Sequence, residues 1–330
     1  MKKSVELTIS NPIYTTYHNQ GSGGAIISAN PSIRNWYLNE VMVLRCDRRF
    51  LSNYTTPDLG ILYSNWIYNP NIEYHSFEMR YTKNSTNAII KELLNSGFHV
   101  VFDKIDDYYL ENKTWYNEKH FLHDGLICGY DDLQKTFTLF AYDKDWKYRK
   151  FRIAQKSFTN GRLSALRQGE YGMIYGIKPK WDIVEFQPKT MLEKLKEHLD
   201  SSFTKYPITG FKEVHGNIVH NYLAMYIDKL FDGSIPHERM DWRILRLLWE
   251  HKTVMLERIQ KTETIIGIRT ISDEYKKLVS ETNTLRMIYA THHMKRRDAV
   301  LPGISKKLLD IKDQEEKLLT EFVEKVEGII

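Results

Sequence analysis

From about Lys189 to the C-terminus the apolar residues keep helical spacing, whereas the preceding 180 residues carry short β-forming runs between glycines. That switch constrains the fold most, because apolar residues spaced for one kind of element cannot bury themselves in the other. In the later part Ile244, Leu247, Leu248, Met255 and Ile259 fall on one helical stripe. Ile304, Leu308, Ile311, Leu318, Phe322 and Val326 fall on another, with charged residues between. Thr270-Ile271-Ser272-Asp273 offers caps for a helix through Tyr289, and Pro302-Gly303 breaks the chain before a final helix. Two domains are expected, 1–187 and 188–330, joined at Gln187-Pro188, the second all-α. No repeat at a solenoid period stands out.

The first domain reads as α+β. Phe98-His99-Val100-Val101-Phe102 is a strand, and Gly97 ends a helix over 84–96 that carries Ile89, Ile90, Leu93 and Leu94 on one face. Further strands are expected at 125–130, 136–142 and 171–177, with Asp131-Asp132 as a hairpin turn. An antiparallel sheet follows for the later half of this domain.

Composition narrows the class. With 13% aromatic residues among 330, the chain has too much ring surface to stay disordered. No run approaches eighteen apolar residues, and MKKSVELTIS lacks an apolar core, so neither a membrane span nor a secretory signal is expected. Two cysteines are too few for a disulfide framework or a structural zinc site, which points to a cytoplasmic protein. The Asn-x-Ser/Thr triplets at Asn53, Asn84 and Asn112 are then chance matches. The formal net charge of +5 is mild. Its densest basic stretch, His292 to Arg297, falls at a helix end, where cations meet the negative end of the backbone dipole. No nucleic-acid or membrane partner is expected, although an acidic protein would also fit that patch.

Chemistry concentrates between Asp103 and Asp143. His123 opens one strand and Asp143 closes the next, so the hairpin between them brings an imidazole beside a carboxylate able to fix its tautomer. A histidine there is also commonly just hydrogen-bonded. His120, His123 and Asp124 make a poor metal set, because two imidazoles three positions apart on a strand face opposite sides and no third strong ligand lies close in sequence. Near the N-terminus, Gln20-Gly21-Ser22-Gly23-Gly24 precedes a short apolar helix. Glycines before a helix leave N–H groups for an oxyanion, with Ser22 at the helix start, but on these residues alone a flexible glycine-rich turn capped by Ser22 is the favoured reading. Cys128 and Cys46 read as small core residues. The tyrosines Tyr108, Tyr109 and Tyr116 serve either as a pocket wall or as amphipathic packing.

These residues resemble the N-terminal domain of the butirosin-biosynthesis acyltransferase family, which is papain-like. The resemblance rests on Asp106, Tyr109, His120, His123, Gly129-Tyr130-Asp131-Asp132 and Asp143 in that order. It extends into the helical half through Asp241-Trp242-Arg243, Glu250-His251-Lys252 and Arg258, as in relatives from nonribosomal peptide and polyketide clusters. The family implies a cysteine-protease fold turned to acyl transfer. An acyl thioester on the phosphopantetheine arm of an acyl or peptidyl carrier protein passes to an enzyme cysteine and then to a small amine. By this resemblance His123 is the family's histidine and Asp143 its acid, with Asp106, Tyr109 and His120 around the substrate, where Tyr116 is the further pocket-lining candidate.

The family's cysteine maps to the glycine-rich helix start, where this sequence has none. Ser22 is the nearest hydroxyl, and Gln20 is the candidate oxyanion donor. A serine ester is less reactive toward amines than a thioester, and serine needs its base more. Ser22 thus stands as a natural nucleophile, an engineered replacement, or a sign of lost catalysis. The expectation is an amide-forming acyltransferase with no bound cofactor or metal, whose oligomeric state, a homodimer included, stays open. A non-catalytic binding homologue and an amide or thioester hydrolase are the alternatives.

Overall fold

The computed structural model describes residues 2–330 except Tyr54, Lys83, Asn84, Trp181, Asp182, 202–212 and Arg297, with the side chains of His18, Asn19 and Tyr68 also left aside. The elements run β1 (Ser4–Glu6), α1 (His18–Ser28), α2 (Pro31–Glu40), β2 (Leu44–Asp47), α3 (Phe50–Asn53), β3 (Gly60–Ile61) and β4 (Ile72–Glu78). They continue with α4 (Met79–Thr82), α5 (Thr86–Asn95), β5 (His99–Asp106), β6 (Leu122–Asp131), β7 (Thr136–Tyr142), β8 (Tyr148–Ala154), α6 (Gln155–Arg167) and β9 (Met173–Pro179). The last are α7 (Pro188–Leu199), β10 (Glu213–His215), α8 (Val219–Phe231), α9 (Ile244–Ile266), α10 (Ser272–Lys295) and α11 (Leu301–Glu327).

Two compact units emerge, Met1–Arg34 with Asn65–Val184, and Asn35–Ser64 with Glu185–Ile330. The second break falls near the expected joint, but residues 35–64 belong to the helical unit rather than the first.

The first unit is α+β. Its antiparallel sheet has the order β4-β9-β5-β6-β7-β8, and β1 adds to β6. Apolar alternation explains the core: Phe137 and Leu139 of β7, Ile153 of β8, and Val100 and Phe102 of β5 pack with Ile90, Leu93 and Leu94 of α5 and Phe158 of α6. The β6–β7 turn is the expected hairpin, with Asp131 Oδ1 accepting the N–H groups of Leu133 and Gln134 at 2.9 and 3.0 Å. A bulge at Cys128 interrupts the β6–β7 register. Beside it, a Cβ on Gly129 would stand 2.6 Å from the Val5 carbonyl oxygen, so only glycine lets β1 approach. A second irregularity between Phe102 and Ile105, with Lys104 at φ 52°, turns the end of β5 and sets Asp106 and Asp107 at the sheet's rim.

The second unit is mostly helical but not all-α as expected. β10 pairs with β2, setting Val214 opposite Cys46, and β2 pairs with β3. Helix α10 is capped differently from the sequence reading. Glu263, near the end of α9, accepts the N–H groups of Thr270, Ile271 and Ser272 and the Thr270 hydroxyl within 2.7–3.1 Å. Pro302 lies inside the first turn of α11, where a missing N–H costs nothing. Among the described residues, no helix is long and apolar enough to cross a membrane.

Candidate functional site

Two consecutive aspartates at the end of β5 each take one histidine. Asp106 Oδ2 lies 2.6 Å from His120 Nδ1, and Asp107 Oδ2 lies 3.1 Å from His123 Nδ1. Neighbouring residues on an extended chain point apart, so the two pairs occupy different surroundings. His123 sits opposite Ile105 in the β5–β6 register, which fixes its height on the sheet.

The Asp106 pair is held like a structural joint. Its buried carboxylate also accepts Ser164 Oγ at 2.6 Å, Gln168 Nε2 at 3.3 Å, and the N–H groups of Tyr108 and Phe121 at 3.1 and 3.2 Å. Burial alone would raise its pKa, but the donors from Ser164, His120, Tyr108 and Phe121 outweigh burial and hold it below the usual range. His120 stacks on Tyr108 with ring centres 4.5 Å apart and is otherwise exposed. Asp106→Ala should strand the buried Ser164 hydroxyl and the Tyr108 and Phe121 N–H groups, costing about 1–3 kcal/mol. Urea unfolding of the variant measures this, and an unchanged midpoint would contradict it.

The Asp107 pair has a third member. Lys113 is buried, with Nζ 3.4 Å from His123 Nδ1, 3.5 Å from Asp107 Oδ2 and 3.1 Å from the Tyr142 carbonyl oxygen, to which it donates. Burial pushes the Lys113 ammonium below the usual lysine range, against the opposing pull of Asp107, Asp124 and Asp143. Asp124 Oδ1 stands 3.8 Å from His123 Nε2, and burial raises the Asp124 carboxyl despite His123 and Lys113. When His123 donates its Nδ1–H to Asp107, Nε2 carries the lone pair and is the ring atom that can take a proton. The His123 side chain is 27% exposed, whereas that of Asp107 is 3% exposed. A buried acid behind a part-exposed imidazole is an acid–base arrangement.

The structure places the other expected residues differently. Asp143 does not orient His123. Its Oδ1 accepts the N–H groups of Asp145 and Lys147 at 2.8 and 2.9 Å, and its Oδ2 binds Arg149 Nε. Burial would raise this carboxyl, but those donors hold it below the usual range, and it ties the β7–β8 turn. The hairpin did bring Asp143 close: its carbonyl accepts Thr114 Oγ1 at 3.4 Å, one residue from Lys113.

Ser22 is not at a helix start. Helix α1 begins at His18, and Gly21 already donates its N–H to the Tyr17 carbonyl at 2.9 Å, so Ser22 lies in the second turn. It is 0% exposed. Its hydroxyl turns toward the Tyr148 phenol, too loosely for a well-formed hydrogen bond, and none joins it to His123. Gln20 is the third residue of the helix. The glycines serve close packing: a Cβ on Gly21 would come 2.6 Å from the Tyr148 hydroxyl, and one on Gly23 would come 2.7 Å from Trp66. Cys46 and Cys128 are both buried, which pushes each thiol up to about 12 and removes it as a nucleophile at neutral pH. Tyr109 is half-buried and meets Tyr108 edge-on at 5.1 Å, while Tyr116 is exposed.

Asp107 and Lys113 escaped the sequence reading. Asp107 stood beside the chosen Asp106, and one-residue alternation at a strand end was the signal that each would serve a different histidine. Lys113 gave no signal, since only the turn-rich path of 107–121 buries it. Among the described residues, no group of three or more His, Cys, Asp or Glu side chains is placed to hold a metal ion. No protein-family model matches the chain, and no curated protein matches its sequence.

Proposed function

We propose that the α+β unit is a papain-like acyl-transfer site that makes an amide from a carrier-bound thioester. The single observation that carries this reading is the part-exposed His123 imidazole bonded through Nδ1 to the buried Asp107. In the proposed reaction an amine attacks the thioester carbonyl carbon, and His123 Nε2 takes the N–H proton. The C–S bond breaks, and the departing phosphopantetheine thiolate recovers that proton from the imidazolium, leaving an amide and a thiol. Asp107 holds the tautomer and steadies the imidazolium, and Lys113 holds Asp107 in place. Asp107 thereby takes the orienting role expected of Asp143. Because Ser22 is fully buried, the amine attacks directly and no ester on Ser22 is formed.

A second reading, a non-catalytic binding homologue, is favoured by the burial of Ser22 and both thiols. Aminolysis of a small acyl thioester, followed by chromatography and intact-protein mass spectrometry, separates the readings. Wild-type protein should release amide without gaining mass, and His123→Ala should lose at least tenfold in rate. Release of free acid instead would assign a hydrolase. A mass gain absent from Ser22→Ala would restore the serine as acyl acceptor. Rates equal in wild type and His123→Ala would reject catalysis here and leave the binding reading.

A further inference from the structure

Beside that site the β7–β8 hairpin concentrates the chain's positive charge. Six of residues 144–156 are lysine or arginine and one, Asp145, is acidic, so this stretch holds a net +5, equal to the formal net charge of the whole chain. β8 is an outer strand of the sheet, paired only with β7, and Lys144, Lys147, Arg149, Lys150, Arg152 and Lys156 are all exposed. Arg149 pairs with Asp143 and Asp145, and Lys150 with Glu6. Lys144, Lys147 and Lys156 have no carboxylate partner among the described residues.

Charge on an edge strand has an ordinary use, since it discourages edge-to-edge pairing. The tip of this hairpin is not explained that way. Trp146 sits at φ 57°, in the left-handed region where a bulky side chain is strained and glycine is relaxed, and the residue is 63% exposed. Neither burial nor backbone geometry calls for tryptophan there. An apolar ring held out among lysines fits a partner that offers an acidic surface with an apolar notch. The hairpin also borders the His123 site, because the Lys144 N–H donates to the Asn112 carbonyl at 2.7 Å, one residue before Lys113.

We propose that Trp146 with Lys144, Lys147 and the outer edge of β8 forms the docking surface for an acidic carrier protein, whose arm then reaches His123. This rests on the acyl-transfer reading and names its partner-binding face. Binding of a purified holo-acyl carrier protein, followed by calorimetry at low ionic strength, tests it. Wild type should bind, and Lys144→Glu with Lys147→Glu should weaken binding at least tenfold. Trp146→Gly should weaken binding while keeping or raising the melting temperature, which a structural role for the ring would not allow. Against a small thioester that needs no docking, all these variants should keep the wild-type rate, while His123→Ala should bind the carrier normally. No binding at low salt, unchanged binding by the charge-reversed variant, or preferential binding of a single-stranded oligonucleotide would each overturn the proposal. Loss of small-thioester turnover would strike only the reading beneath it.

Discussion

Glu315→Ala should cost the helical unit about 3–5 kcal/mol, the usual penalty for stranding a buried charge. One side chain from each of four helices meets at this point, and none of the four is exposed. Lys252 of α9 bonds Glu315 Oε2 of α11, and Tyr275 of α10 donates its hydroxyl to Glu315 Oε1 at 2.5 Å. Lys252 Nζ also lies 3.0 Å from His220 Nε2 of α8, whose Nδ1 lies 2.9 Å from the Asn217 carbonyl. Burial pushes the Lys252 ammonium down, and Glu315 is the group that opposes this. Removing the carboxylate leaves a buried ammonium facing an imidazole and a phenol with no acceptor. A double variant, Lys252→Met with Glu315→Gln, removes the charges together and keeps an acceptor for Tyr275, so it should be more stable than Glu315→Ala. Urea unfolding followed by circular dichroism measures both. A Glu315→Ala loss under 1 kcal/mol would show that the four-helix junction does not depend on this pair.

That junction also shows where sequence reading stops. Ile244, Leu247, Leu248, Met255 and Ile259 declared α9 by spacing alone, and all five are buried. The charged members of the same helix gave no comparable signal, because helical spacing treats a lysine as solvated. Glu250-His251-Lys252 and Arg258 entered through family resemblance. In the fold His251 Nε2 lies 2.7 Å from the Met42 carbonyl, and Arg258 Nε donates to the Leu38 carbonyl at 2.8 Å. Those partners lie some two hundred residues away, in the 35–64 segment that local pattern assigned to the other domain. Strand β7 was legible to the residue, since its short β-forming run, buried throughout its middle, is bounded by turn residues at both ends. β4 was not, because its middle is exposed and lacks an apolar period. At the candidate site the histidine was legible and its acid was not. Asp143 matched the hairpin geometry, but two turn N–H groups and Arg149 engage its carboxylate.

Acidification from pH 6.5 should destabilise the helical unit steeply before its carboxylates begin to titrate. His198, His220 and His251 are each 0% exposed. Burial, reinforced by Lys252 and Arg258, pushes His198 down to about 3, and burial with Lys252 holds His220 and His251 well below the usual range. Among the described residues His198 has no hydrogen-bond partner for either ring nitrogen, so none of them compensates a charge placed there. A folded pKa below the unfolded one means that the unfolded chain binds more protons between the two values. Stability is therefore full above about pH 6.5 and falls as pH drops toward the folded pKa. At about 1.4 kcal/mol per unit, His198 alone removes roughly 5 kcal/mol by pH 3. With the other two histidines acting in the same direction, the slope approaches three protons, about 4 kcal/mol per pH unit. A domain stability of about 5–15 kcal/mol is then exhausted within a few units of neutrality. Glu263, with its pKa held below the usual carboxylate range, adds its own loss only as pH falls below the unfolded value of 4.5, so measurements between pH 5 and 7 read the histidines alone. Unfolding free energies measured between pH 5 and 7 give the slope directly, and His198→Leu should lower it by about one proton. A slope below one proton in wild type would mean that these imidazoles take up protons in the folded unit, and that water reaches a core the structure shows as sealed.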